Sequence, residues 1–297
     1  MIKRGDKVII AIGDSFTEGQ GAYDDGIWET LDWMEPTKQS VINTFTEMER
    51  NNSWPSQLKK NHLKDYNIIN LGNRGKGNRN AVKKLTTFSP QFDATLASEI
   101  TIVFSFTQFC RFEFIAPDTD LGPGNLFETI WPSDPDFDDK DRLGHKDLWR
   151  GYGTAIFNDK STTLEFISTL VELQNWCKLN NANLVVINQM EDLGYKSLMI
   201  KNIMSDTTED DQNRQSKIID QIDFNNWMYG EEDIQLIDQL LILNKQPKLR
   251  KKRNYAWYGQ YIGKENKYWT PCSHPTKYGH KVLAKTVYEY LVKKEYV

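Results

Sequence analysis

Two short stretches near opposite ends of the sequence contain residue types that could act together as a nucleophile and a base. The first is GDSFTEG at residues 13–19, in which Ser15 closely follows a run of apolar residues. The second is SHPTKYGH at residues 273–280, in which His274 directly precedes a proline. A serine hydroxyl becomes an effective nucleophile when a histidine within hydrogen-bond reach takes its proton. The sequence therefore contains the parts of a Ser–His pair.

The position of Ser15 at the end of an apolar run indicates where its side chain would lie. An apolar run that ends at Gly13 and continues into polar residues predicts a central strand that leads into a helix. The carboxyl ends of parallel strands form the ligand-binding crevice of an open α/β sheet, and the N-terminus of a helix offers free N–H groups there. Ser15 could thus be a nucleophile beside part of an oxyanion site. The alternative is that Asp14 or Ser15 only caps the helix.

The chain offers four candidate bases, and their surroundings differ. A histidine just before a helix-opening proline is held on a stiff loop, which makes His274 the best placed of the four. Each of them, taken alone, could equally be a structural or exposed histidine. The four are His62 in a predicted amphipathic helix, His145 in an acidic insertion, His274 and His280.

Apolar strands alternate with helical stretches along the chain, which predicts an α/β fold with a mainly parallel sheet covered on both faces. The predicted strands are Lys7 to Ile12, Tyr66 to Leu71, Ile100 to Phe106 and Asn183 to Asn188. The predicted helices are Trp54 to His62, Asn78 to Phe88, Thr162 to Leu179 and Thr276 to Lys293.

Composition limits the class of protein. The 297 residues carry a formal net charge of only −4, which argues against a general nucleic-acid binder. The N-terminus lacks the apolar core of a signal peptide and no run reaches the length of a membrane helix, so a cytoplasmic location is expected. Three cysteines without metal-type spacing argue against a disulfide framework or a zinc site, and reduced thiols are expected. We interpret residues 1–297 as a single domain.

Two regions interrupt the alternation and are interpreted as insertions, at about residues 117–151 and 205–270. The first is acidic and spaces three aspartates as in a calcium loop, but Asp139 and His145 stand where that loop needs glycine and glutamate, so no metal is expected. The second has a basic run at 245–253 followed by aromatic residues. Such a run could track nucleic acid or be a solvated face, while aromatics that lead to His274 suit a sugar better.

Four motifs together resemble the sequence blocks of the SGNH (GDSL-type) hydrolase family. They are GDSFTEG, NSWPSQL at 52–58, NIINLGNRGKGNRN at 67–80 and SHPTKYGH. The resemblance covers residues 7–80 and 268–293. It implies a three-layer α/β/α sandwich with a mainly parallel, flavodoxin-like five-stranded sheet plus loop insertions. It also implies ester hydrolysis through an acyl-enzyme, without a metal or organic cofactor.

The resemblance assigns roles to individual residues. Ser15 would be the nucleophile and His274 the base, and the backbone N–H groups of Ser15 and Gly75 would bind the oxyanion. For Gly75 a flexible turn is a compatible structural role. The family's third block, Gly-x-Asn-Asp, is altered here to SFTQ at 105–108, so the lost asparagine amide would be replaced by Thr107, Gln108 or Asn78. Thr107 and Gln108 could also be ordinary polar residues at a strand end.

The last block departs from the family as well. Pro271 stands where an acid usually orients the histidine, so a backbone carbonyl or Glu265 would have to do so. Asp14, Arg111 and Trp269 are the predicted contacts to the substrate. Arg111 could instead be a solvated residue paired with Glu113.

Three functions follow from these observations. The first is an esterase that removes an acetyl-like group from a carbohydrate. The second is a weakly active or inactive SGNH-fold binding protein, such as a bacteriophage virion component, whose insertions mediate homo-oligomer or virion assembly; Pro271 and the altered third block favour it. The third, a flavodoxin-like nucleotide binder, is disfavoured because GDSFTEG lacks the glycine spacing and lysine of phosphate loops.

Overall fold

The computed structural model describes ten stretches of the chain and one single residue. They are residues 4–23, 39–74, 76–88, 97–107, 112–115, 127–130, 159–188, 196–204, 217–228, 268 and 274–297. Both predicted insertions lie mostly outside these residues, as do Cys110 and Cys272.

The described strands form one parallel sheet and one small antiparallel pair. The parallel sheet has the order β2-β1-β3-β6, as in flavodoxin-like folds. Its strands are β1 (Lys7–Gly13), β2 (Asn67–Asn70), β3 (Glu99–Phe106) and β6 (Asn183–Asn188), and the pair is β4 (Phe112–Ile115) with β5 (Phe127–Ile130).

A fifth strand position is marked at the open edge of β6. Trp227 forms a parallel bridge with Val186, and the Met228 N–H donates to the Val186 carbonyl at 2.9 Å. The sequence-based expectation was a five-stranded sheet, but only four of its strands were located in the sequence. Four strands are complete within the described residues.

The helices lie on both faces of the parallel sheet, which confirms the predicted α/β fold. Their bounds are α1 (Ser15–Glu18), α2 (Gln39–Asn52), α3 (Trp54–Asn61), α4 (Asn78–Phe88), α5 (Asp159–Leu179), α6 (Lys196–Met204) and α7 (Lys277–Lys293), with a 3₁₀ turn at Phe224–Asn226. No helix in the described part of the chain is long and apolar enough to cross a bilayer.

Alternate residues of β1 supply the two cores. Val8, Ile10 and Ile12 point to one face, where they pack with α4, α5 and α6. Ile9 and Ala11 point to the other face, where they pack with α3 and α7. Because side chains alternate along a strand, a central strand covered on both faces must be apolar throughout. β1 is therefore fixed firmly, and so is the point at which it ends.

Two residues on these helices, Cys177 and His280, are buried. Cys177 on α5 is a free thiol, and burial raises its pKa to about 12, so it remains protonated. His280 on α7 is fully buried, and its Nδ1 accepts a hydrogen bond from the Trp54 N–H at 3.2 Å. Because that N–H lies at the start of α3, the imidazole joins α7 to the free N-terminus of α3.

His280 should make the protein sensitive to acid. Burial lowers its pKa to about 3, against an ordinary value near 6.5. Between these values the unfolded chain binds a proton that the folded protein excludes, so stability falls as the pH drops below about 6.5. We expect His280→Gln, which keeps an acceptor, to reduce the loss of unfolding free energy between pH 7 and pH 4.5 by about 2 kcal/mol. Urea denaturation at the two pH values measures this loss, and equal losses in both proteins would contradict the expectation.

Candidate active site

The carboxyl end of β1 presents Ser15 at the first residue of α1. Asp14 is the N-cap of this one-turn helix, and its Oδ1 accepts the Phe16 N–H at 3.0 Å. The capping role that the sequence left open between Asp14 and Ser15 therefore belongs to Asp14. The Ser15 hydroxyl is left available for another partner.

That partner is His274. The Ser15 Oγ lies 2.9 Å from His274 Nε2, across a separation of 259 residues in sequence. The His274 ring also packs against Phe16, with ring centroids 5.0 Å apart and planes tilted by 40°. A hydroxyl and an imidazole at this distance have the geometry of a nucleophile and its general base.

The start of α7, just after His274, is held by a helix cap and by contact with Tyr268. Thr276 caps α7 by accepting the Gly279 N–H on its Oγ1 at 3.2 Å, and its own N–H donates to the Tyr268 carbonyl at 3.0 Å. Gly279 has no room for a side chain, since an added Cβ would lie 2.4 Å from that same carbonyl oxygen. The residues that flank His274 are thus held by the helix cap and by close packing.

The side chain of Thr107, which follows β3, is hydrogen-bonded to Asp14. Its Oγ1 donates to Asp14 Oδ2 at 2.7 Å, and both residues are buried. A hydroxyl carries one hydrogen, and here Asp14 accepts it. A donor role for the Thr107 hydroxyl toward a substrate would require this bond to break.

Asn78, at the start of α4, is paired with the backbone of Thr107. Its Oδ1 accepts the Thr107 N–H at 2.8 Å, and its Nδ2 donates to the Thr107 carbonyl at 3.0 Å. An amide nitrogen has two hydrogens. The second one has no acceptor among the residues that the structure describes.

Glu18, Arg74 and Glu49 form a charged cluster beside α1 that the sequence did not single out, in which the two carboxylates are buried and Arg74 is partly exposed. Glu18 and Glu49 are 3% and 1% exposed, and Arg74 forms ion pairs with both. Burial alone would raise the pKa of the Glu18 carboxyl, but Arg74 and Arg50 outweigh burial and hold that pKa below its ordinary value. The sequence contained one signal for this cluster. Glu18 in GDSFTEG and Arg74 in NRG carry opposite charges, and each lies within a motif.

Several predicted site residues lie outside the described part of the chain. This applies to the proposed oxyanion donors Gly75 and Gln108 and to the proposed substrate contacts Arg111 and Trp269. It applies also to the two residues considered for the orientation of His274, Pro271 and Glu265. Within the described residues, no group of histidine, cysteine and acidic side chains could hold a metal ion.

Comparisons with known proteins give only distant similarity. No family model and no curated protein sequence matches the chain. Among solved structures, the esterase EstA from Pseudoalteromonas sp. is 11% identical with a TM-score of 0.43, and the alignment covers 98% of this chain and 99% of EstA. A member of the lipolytic protein G-D-S-L family from Veillonella parvula is 11% identical with a TM-score of 0.40, covering 95% and 97%. The acetyl xylan esterase AlAXEase is 13% identical with a TM-score of 0.37, covering 95% and 98%.

The Thr107–Asp14 bond should stabilise the site measurably. Thr107→Val keeps the shape of the side chain but leaves a buried carboxylate oxygen without this donor, which costs about 1–3 kcal/mol. Thr107→Ser keeps the hydroxyl and serves as the matched control. We expect urea denaturation to show the loss in the valine variant and less than about half of it in the serine variant. Equal losses in both variants would indicate that the methyl group, not the bond, matters.

Proposed function

We propose that this protein is a serine ester hydrolase of the SGNH type, with Ser15 as nucleophile and His274 as general base. The observation that supports it most strongly is the 2.9 Å contact between Ser15 Oγ and His274 Nε2. Asp14 caps α1 through Phe16, so the hydroxyl is not consumed by the helix N-terminus. A further support is that Ser15 follows the carboxyl end of β1, because α/β proteins bind their ligands at the carboxyl ends of the parallel strands.

The reaction would follow from these two side chains. His274 takes the hydroxyl proton as Ser15 Oγ attacks the ester carbonyl, and it returns the proton to the leaving alcohol as the ester C–O bond breaks. The product is an acyl-Ser15 ester. Water then attacks that ester with His274 again as the base, which releases the carboxylic acid and restores the serine.

The oxyanion formed at each step needs donors close to Ser15. The first N–H groups of a helix have no intrahelical acceptor and carry the positive end of its dipole, so the Ser15 N–H is one proposed donor. The second hydrogen of the Asn78 amide is another, since only one hydrogen bonds to Thr107. The Gly75 N–H and the Gln108 amide remain proposed from the sequence blocks. Thr107 enters the proposal as the residue that holds Asp14.

The proposed substrate is a carbohydrate that carries a small acyl group in ester linkage. The support comes from the sequence, where aromatic residues lead directly to His274, and Arg111 and Trp269 are the proposed contacts to the sugar. Amphipathic aromatic rings offer sugars an apolar face to stack against, which suits a glycan ester. Asp14, with both carboxylate oxygens engaged inside the protein, would act on the substrate only through Ser15 and the loop around it.

Substitution of either member of the pair should abolish hydrolysis. We expect Ser15→Ala and His274→Gln each to lower kcat for p-nitrophenyl acetate by about 10³-fold or more, because the two groups act as one unit. The matched controls are Ser168→Ala and His62→Gln, since the Ser168 hydroxyl donates to the Leu164 carbonyl within α5 and the His62 ring stacks on Tyr288 of α7. A wild-type rate equal to that of Ser15→Ala would contradict the proposed function.

The acyl chain and the alcohol can be tested separately. With p-nitrophenyl esters of rising chain length, we expect kcat/KM to be highest for acetate and to fall with each added methylene. With acetylated xylan oligosaccharides, acetate release measured by NMR should exceed that from an alkyl acetate at the same concentration. A preference for long acyl chains would overturn the small-acyl part of the proposal, and a preference for the alkyl acetate would overturn its carbohydrate part. Neither result would bear on the roles of Ser15 and His274.

A further inference from the structure

Helix α1 contains only four residues, so its own hydrogen bonds cannot fix the direction of Ser15. What orients the nucleophile must come from groups packed around this turn. Glu18, the last residue of α1, is the charged side chain at its C-terminal end and is buried. A buried carboxylate must be paired and hydrogen-bonded, and its partners therefore indicate what it holds.

The partners of Glu18 lie on the loop that follows β2. Glu18 Oε2 accepts two hydrogen bonds from Arg74, one from the backbone N–H and one from Nε, each at 2.9 Å. Its other oxygen, Oε1, accepts Arg50 Nη2 at 2.8 Å and Arg50 Nε at 3.2 Å. One carboxylate thus ties the nucleophile turn to the main chain of Arg74 and to α2.

Arg74 is held from a second side by Glu49 of α2. Its Nη2 pairs with Glu49 Oε2, while Glu49 Oε1 accepts the Gly21 N–H at 3.0 Å. Burial alone would lower the pKa of the Arg74 guanidinium, but the two carboxylates raise it above its ordinary value. The guanidinium therefore stays charged and bridges α1, through Glu18, to α2, through Glu49.

The loop and α1 are also in direct backbone contact. A Cβ added at Gly72 would lie 2.3 Å from the Glu18 nitrogen, so only glycine fits between them. Asn70 Nδ2 donates to the Thr17 carbonyl at 2.8 Å, and the Asn73 N–H donates to the Gly13 carbonyl at 3.0 Å. Residues 70–74 thus pack along the whole nucleophile turn, and Arg74 is the residue before Gly75 in the chain.

We propose that Glu18 is a positioning residue, which through Arg74 sets the nucleophile turn and the loop at 70–74 in one fixed arrangement. This inference rests on the proposed function, in which Ser15 attacks while an amide just beyond Arg74 receives the oxyanion. Nucleophile and oxyanion donor must be aligned together, and a displacement of about 1 Å can cost about 10²-fold in rate. Glu49 supports the same arrangement by fixing the far side of the guanidinium.

The first test is steady-state kinetics with p-nitrophenyl acetate. Glu18→Gln keeps the size of the side chain and removes the charge, and we expect kcat to fall about 10–100-fold with KM changed less than about twofold. Glu172→Gln is the matched control, since Glu172 pairs with Lys83 at 2.8 Å between α5 and α4. We expect its kcat to equal that of wild type.

A double variant tests whether Glu18 acts through Arg74. Arg74→Lys keeps the charge but cannot bridge two carboxylates as a planar guanidinium does, so its kcat should fall similarly. If the two residues work as one unit, Glu18→Gln combined with Arg74→Lys should lie within about twofold of the worse single variant. If the fold-losses in kcat of the two single variants multiply in the double variant, Glu18 acts independently of Arg74 and the inference is overturned.

Hydrogen–deuterium exchange supplies a measurement that does not depend on activity. In Glu18→Gln we expect amides in residues 15–19 and 70–74 to exchange at least about 10-fold faster than in Glu172→Gln. Unchanged exchange, or reduced stability with wild-type kcat, would overturn the positioning role. A wild-type rate no higher than that of Ser15→Ala would instead reject the proposed function, and the exchange data would still decide whether Glu18 holds the two segments together.

Discussion

Ser15, the proposed nucleophile, lies on a single helical turn, and the surrounding structure compensates for the shortness of that turn. A four-residue helix leaves nearly all its backbone groups without internal partners. Asp14 satisfies its N-terminus and is itself held by Thr107 from the neighbouring strand. Asn70 satisfies the carbonyl of Thr17 at the other end. The turn is therefore defined by β2 and β3 as much as by its own residues.

The buried charged residues beside the site lie apart from the two hydrophobic cores. Both faces of the parallel sheet are apolar and covered by helices, whereas the buried carboxylates of Asp14 and Glu18 lie just beyond the end of β1. Asp14, Glu18 and Glu49 would each cost several kcal/mol of desolvation if left unpaired, and each is hydrogen-bonded instead. Partners supplied by loops at a rigid sheet edge give fixed geometry without weakening the core.

The elements with strong local signals could be predicted from the sequence. The predicted α4 and β6 match the structure at both ends, and the strand leading to Ser15 differs by one residue, because buried apolar runs bounded by polar residues mark such strands. Helices α2 and α6 were missed: the first has no clear capping signal, and the second is a short apolar run that suits either state. The β4–β5 pair fell partly within a region interpreted as an insertion.

The pairing of Ser15 with His274 was predicted mainly because their motifs resemble the first and last blocks of one hydrolase family, and their positions after a strand and before a helix agreed with it. The cluster of Glu18, Glu49 and Arg74 was not, since ion pairs across 56 and 25 residues leave no periodic signal in the sequence. Charge type alone does not distinguish a buried pair from a solvated one. Three-dimensional proximity was needed to show that two of the motifs are joined by a carboxylate.

The central claim is that Ser15 is a nucleophile activated by His274, and covalent labelling tests it most directly. The wild-type protein and His274→Gln would be treated with a fluorophosphonate, and intact mass and peptide mapping would locate and time the adduct. The account predicts one adduct, on Ser15, that forms at least about 10²-fold more slowly in His274→Gln. An unlabelled wild type, or a label on another serine, would contradict the account.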